Sequence, residues 1–162
     1  MKGWQSTSFG ELDSVPLFEG IVWHPVRRKL DIRAFGINAY TSEGVGKLVI
    51  EEHDETGGGA GGHEELYVVI SGRATFTLDG ERLDAPAGTL VFLSDPTVKR
   101  KAVAEEEGTL VLAIGAEPGV PYEPSPWEWY FSAMPALREE RWKDAIDRRF
   151  VAQYRPHSST AK

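Results

Sequence analysis

The chain has 162 residues, 41% of them apolar and 27% charged, with a net charge of −7 and no cysteine. That length suits one domain with an extension, the acidic balance disfavours a dedicated nucleic-acid or anionic-membrane binder, and without cysteine there is neither a disulfide framework nor thiolate chemistry. The longest apolar run, Leu110–Ala116, is far short of the ~20 residues that span a bilayer, and no signal peptide is visible, so the expected location is the cytoplasm.

Residues Met1–Pro16 are polar with scattered Trp4, Phe9 and Leu12, and read as an arm for a barrel or a partner subunit. Leu17–Pro25 predicts a strand stopped by Pro25, which removes a ladder donor. Lys29–Thr41 alternates in part, with Leu30, Ile32 and Ala34 on one face, and Gly36 allows a bulge or a close backbone approach. Gly46–His53 predicts the next strand, Leu48 and Ile50 facing one way and Val49, Glu51 and His53 the other. The loop Thr56–Gly62 is dense in glycine. It lacks the Lys-Ser/Thr ending of a P-loop and precedes a strand, so it reads as a lid over a site.

His63–Ile70 and Ala74–Leu78 predict two strands, the second joined by Asp79-Gly80 to Glu81–Ala85. Asp-Gly between β-rich runs is a strong hairpin signal, because a type I′ turn needs two residues tolerant of positive φ. Thr89–Leu93 predicts a short buried strand, and Val98–Ala104 and Thr109–Ile114 complete the set. About nine short strands at this spacing argue for a sandwich or barrel. From Glu117 a proline-rich connector leads to Ser125-Pro126-Trp127-Glu128, an N-cap followed by a proline at the first helical position. A short helix over Trp127–Met134 is expected to stop before Pro135. A second, about Ala136–Tyr154, carries Trp142, Ile146, Phe150 and Tyr154 in an i+4 stripe. The domain reading is a barrel with its arm over 1–116, a connector with helices packed on the barrel over 117–154, and a disordered tail over 155–162.

The stretch Glu51–Gly80 resembles the cupin family. Glu65, six residues and Gly72 match the end of the first cupin motif, and Pro86–Pro96 (PAGTLVFLSDP) resembles the run into the second. The resemblance implies an all-β fold, a double-stranded β-helix or jelly roll, here with a short C-terminal helical extension. It also implies a metal held inside the barrel by histidines and a glutamate. The family's H-x-H positions, however, fall on Gly58 or Gly59 and on Ala60 or Gly61. From Pro96 its second-motif glycine, histidine and asparagine fall on Val98, Lys101 and Glu105.

Strand alternation places His63, Glu65, Tyr67 and Val69 on one face, which reads as a pocket wall. His53, His63 and Glu65 are the residues placed for a cupin-like site for iron, manganese, nickel or zinc. The alternative is a barrel without metal, in which Lys101 pairs with Glu65. A slip of one register would present Arg100 instead, and alternation favours Arg100 because Val98, Ala102 and Ala104 share its face. Of the other histidines, His24 reads as a surface or hydrogen-bonded residue and His157 as part of the tail. The expected function is a metal-poor binding cupin. Its pocket, lined by His53, His63, Glu65, Tyr67 and Arg100 or Lys101, would take a small polar or anionic ligand, and the protein would be a homodimer. The alternatives are a divalent-metal dioxygenase or isomerase using His53, His63 and Glu65 with Tyr67 as acid or base, and a module whose helices dock a partner protein.

Overall fold

The computed structural model describes residues 3–57 and 61–138. β-Branched and aromatic residues at period two give ten strands: β1 Val15–Pro16, β2 Ile21–His24, β3 Gly36–Ser42, β4 Leu48–His53, β5 Glu64–Ser71, β6 Arg73–Leu78, β7 Glu81–Pro86, β8 Leu90–Leu93, β9 Arg100–Ala104 and β10 Leu110–Ala116. They form two antiparallel sheets, in the order β1-β2-β3-β10-β5-β8 and β4-β9-β6-β7. The inward residues of both sheets, among them Val49, Ile50, Tyr67, Val69, Phe76, Ala102 and Val111, make one core. This is the jelly roll that the cupin resemblance implies, within the sandwich-or-barrel class that the strand spacing predicts. Leu12, Val26 and Ala39 form a second cluster with Leu30, Ile37, Leu110 and Leu112, so the N-terminal segment covers part of the outer face of the larger sheet.

The turns carry the register. Asp79 and Gly80 both have positive φ, 48° and 91°, as a type I′ turn requires, and β6 closes on β7 with Leu78 opposite Glu81. Gly72 joins β5 to β6 at φ 69°. A Cβ there would stand 2.7 Å from the Thr109 Cα, so no other residue fits without backbone movement.

Several local expectations are corrected. The strand predicted over Leu17–Pro25 begins only at Ile21, because Glu19 and Gly20 turn the chain through positive φ. Within the span predicted as Lys29–Thr41 the first residues are not extended. Val26–Leu30 form a helical turn, α1, ended by Asp31 in the left-handed region, whose N–H bonds the Arg27 and Arg28 carbonyls. Gly36 does allow a close approach: a Cβ there would lie 2.9 Å from the Tyr122 hydroxyl. β8 is half-buried, with Val91 and Leu93 inside and Leu90 and Phe92 exposed. The helix at the chain's end, α2, runs over Pro126–Arg138 and does not stop at Pro135. An interior proline costs a helix a backbone hydrogen bond, and this one nevertheless continues for three residues beyond it.

The chain divides into two compact units, the second beginning at Pro126. Among the described residues no helix is long and apolar enough to cross a membrane. The aromatic stripe of the predicted second helix from Trp142 onward, His157 and the tail lie outside the described residues, as do Gly58–Ala60 of the predicted lid.

Candidate functional site

Three strands bring polar side chains to one end of the barrel. His53 ends β4 opposite Arg100 at the start of β9, while Glu65 and Tyr67 sit on β5 of the other sheet. The pairing of β4 with β9 shifts register twice, once between Leu48 and Ile50 and again between Ile50 and His53. Bulges of this kind re-aim side chains. Ile50, expected to face away from Val49 and His53, is therefore buried with Val49 in the core. β9 keeps strict alternation: Arg100, Ala102 and Ala104 are buried, and Lys101 and Val103 are not.

Glu65 Oε2 is the focus of the cluster. Tyr67 donates its hydroxyl to that oxygen at 2.5 Å, Arg100 Nη2 stands 3.2 Å from it, and His53 Nε2 lies at 3.8 Å. His53 Nε2 is also 3.5 Å from Glu55 Oε1, and His63 Nδ1 is 3.7 Å from Glu55 Oε2. His53 Nδ1 donates to the Glu51 carbonyl at 3.0 Å, which fixes the ring with Nε2 toward the two carboxylates. Gly115 lies opposite Glu65, and a Cβ there would meet the Glu65 Cγ at 3.2 Å. The glycine thus makes room for the carboxylate's stem.

The charges set one another. Burial alone would lower the His53 pKa, but Glu55, Glu65 and the Glu51 carbonyl outweigh it and raise the value to about 10, so the ring is an imidazolium at neutral pH. Burial would raise Glu65, yet His53, Tyr67 and Arg100 hold it below the ordinary carboxylate value. Burial, with the Glu65 carboxylate beside it, pushes the Tyr67 phenol well above its usual value, which makes Tyr67 a standing hydrogen-bond donor. Two cations, Arg100 and His53, therefore face two carboxylates.

Of the residues singled out in the sequence, His53, His63, Glu65, Tyr67 and Arg100 come together. Lys101 does not join them: its ammonium is 2.8 Å from Glu52 on the outer face of β9, because the strand's register gives the inward position to Arg100. Glu55 belongs to the cluster and was missed. It lies beyond β4 and is buried by its loop, held by the bonds Glu55 N–H to Pro96 C=O and Gly62 N–H to Glu55 C=O. A His-x-Glu pair at a strand end was the available signal. Tyr122, whose ring centroid is 5.9 Å from that of His63, was also missed. His24 lies elsewhere, bonded to the Asp13 carbonyl and the Thr41 hydroxyl.

The metal expected on His53, His63 and Glu65 meets a different set. The ligand atoms that lie within 4.8 Å of one another belong to His53, Glu55 and Glu65, Glu55 taking the place of His63. Three such atoms are enough for an open site, but the surroundings do not fit a dication well. Glu65 Oε2 already accepts from Tyr67 and faces Arg100 at 3.2 Å. An ion bound to that oxygen at ~2.1 Å would sit within ~5.3 Å of the guanidinium, a repulsion of about 6 kcal/mol at an effective dielectric of ~20 that works against the attraction of the two carboxylates. Binding would also have to displace the His53 proton. Arg100 already supplies a positive charge beside Glu65.

No protein-family model matches this sequence, and no curated protein sequence does either. Solved structures do. The chain is similar to a cupin protein from Bacteroides fragilis at 22% identity and a TM-score of 0.51, covering 77% of this chain and 93% of that one. It is similar to KdgF from Halomonas sp. at 19% identity and a TM-score of 0.54, covering 70% and 92%. A third likeness is to a sugar phosphate isomerase of the cupin superfamily from Silicibacter pomeroyi, at 10% identity and a TM-score of 0.57, covering 70% and 76%. The chain has the cupin fold.

Proposed function

We propose that the barrel is a receptor for a small polar molecule, bound at the end where Glu65, Tyr67, Arg100, His53 and Glu55 meet. The observation that carries this reading is the convergence of these groups around one carboxylate beside the apolar cluster of the barrel. A structural core has no need of five ionisable or hydroxylic groups, since ion pairs buried for stability alone are matched or bettered by apolar residues. Convergent polar groups in an apolar setting are the usual composition of a small-molecule site. Glu65, held ionised, and Tyr67, held protonated, offer a fixed acceptor and donor. His53, 27% exposed at its side chain, borders the solvent.

A thermal-shift screen of small polar metabolites, run on the full chain and on Tyr67→Phe and His53→Gln, tests this. A ligand of this site raises the melting temperature of the wild type and loses much of that effect in both variants. Hits that stabilise all three proteins equally would place binding elsewhere and contradict the reading.

A second reading has one observation in its favour, the trio His53, Glu55 and Glu65 with the His53 ring locked through Nδ1. That is the way metal-bound imidazoles are held. A divalent ion there would supply Lewis-acid chemistry, with Tyr67 as a proton donor beside it. The guanidinium beside Glu65 makes this the weaker of the two.

A further inference from the structure

The two sheets end in four edge strands, β1 and β8 in the larger and β4 and β7 in the smaller. A free edge presents unpaired backbone groups to any other strand, and chains blunt such edges with charge, proline or bulges. Three of the four are blunted. β1 is two residues long and contains Pro16, β4 carries Glu51 and Glu52 and two shifts of register, and β7 carries Glu81, Arg82, Asp84 and Pro86. β8 reads Leu90-Val91-Phe92-Leu93, with neither charge nor proline, and pairs with β5 without a break. The face beside this edge is apolar too. Leu90 and Phe92 point outward and are 64% and 60% exposed. They stand opposite Val68 and Leu66 of β5, and Ile70, further along the same face, is 41% exposed. The N-terminal cluster reaches Leu110 and Leu112 on β10 and includes no residue of β5 or β8. At about 200 Å² for a fully exposed side chain of this size, Leu90, Phe92 and Ile70 alone leave roughly 330 Å² in water. A monomer's largest apolar patch is of that order, and such patches are often functional.

We infer that β8 is the interface of a two-fold dimer, its free edge pairing antiparallel with β8 of a second copy so that the two larger sheets run on as one. A bare edge accepts another strand, and a strand on a two-fold axis is its own antiparallel match. With Val91 on the axis, Leu90 of each copy stands opposite Phe92 of the other, so outward side chains meet outward side chains. The area agrees with this occupant. A standard interface removes about 800 Å² per partner, of which roughly 500 Å² is apolar in homodimers, and the three exposed residues supply most of that amount. Charge agrees as well. Neither β5 nor β8 carries a lysine or arginine, which sets aside an anionic lipid surface, and the patch itself holds no charge to repel its own copy. The inference does not depend on what the barrel binds.

Sedimentation velocity on the full chain, over roughly 1 to 100 µM, tests this. The expected result is a species of twice the 17.9 kDa chain mass at the upper end, dissociating on dilution. Leu90→Lys and Phe92→Lys change side chains on the exposed face and should each weaken association by about a hundredfold or more, since each acts twice across the axis. Leu83→Lys, a change at an exposed apolar residue on the edge of the other sheet, should leave association unaltered. Amide exchange in the wild type is a readout that needs no substitution. The β8 amides on the free edge should exchange about tenfold more slowly, or slower still, at the high concentration than at the low. A monomer throughout the range, or a dimer that survives both lysine changes, would overturn the inference. So would exchange at β8 that does not respond to concentration.

Discussion

The two faces of β9 carry the same kind of pair in opposite settings. Inside, Arg100 meets Glu65 with no exposure of its side chain. Outside, one residue to either side, Lys99 and Lys101 both reach Glu52 at 2.9 and 2.8 Å. The outer distances are shorter, yet water and salt screen them, and such pairs contribute little. The inner pair is longer and has lost its water, so each partner depends on the other. Distance alone does not rank ion pairs; burial does. A chain that needed only a stable sheet could have kept all three cations outside. The placement of one of them in the barrel next to a donor phenol is what points to a site.

The comparison can be broken most sharply from the inside. Glu65→Ala leaves Arg100 buried without a counter-charge and should destabilise the fold by about 3–5 kcal/mol in urea unfolding. The double change Glu65→Leu with Arg100→Met, which removes both charges, should recover most of that loss; if it is no better than Glu65→Ala, the cost is one of packing and not of charge. The next effect is in pH. His53 has its pKa raised from 6.5 to about 10. Its contribution is therefore complete below pH 6.5 and disappears as pH rises through about 10. Glu52 has its pKa lowered from 4.5 to about 2 by the two lysines, so its contribution is present above pH 4.5 and goes as pH falls toward 2. His53→Gln should flatten the alkaline limb of a stability profile, weaken the part of the acid limb that comes from Glu65, and leave the part that comes from Glu52 unchanged. The smallest effect belongs to the outer face. Glu52→Gln should move the melting temperature by no more than about 2 °C at low salt and by nothing measurable at 1 M salt.

Much of the barrel was legible because its signals are local. Asp79-Gly80 has the turn chemistry of a two-residue hairpin, and Gly72 follows Glu65 at the cupin interval because the backbone of Thr109 leaves no room for a side chain. Tyr67 and Glu65 could be placed on one face from alternation alone. The choice between Arg100 and Lys101 was less accessible, since it depends on register, and register is fixed by pairing with strands far away in sequence: Leu78 and His53 both lie opposite Arg100. The bulges in β4 leave no mark on the order Leu-Val-Ile-Glu-Glu-His, so the burial of Ile50 could not be read. Glu55 was hidden for a related reason, because its loop is held by contacts to Pro96 and Gly62. The turn of helix at Val26–Leu30 was concealed by an apolar spacing that happened to alternate.

Metal content tests the central claim, that Arg100 stands beside Glu65 where a metal-bearing cupin would hold its ion. The measurement is elemental analysis of protein made without a polyhistidine tag, before and after incubation with iron, manganese, nickel and zinc salts followed by dialysis. The account predicts far less than one equivalent of any of them, with no difference between the wild type and His53→Ala. Close to one equivalent that survives dialysis in the wild type and is lost in His53→Ala would contradict it, and would make the trio His53, Glu55 and Glu65 a metal centre.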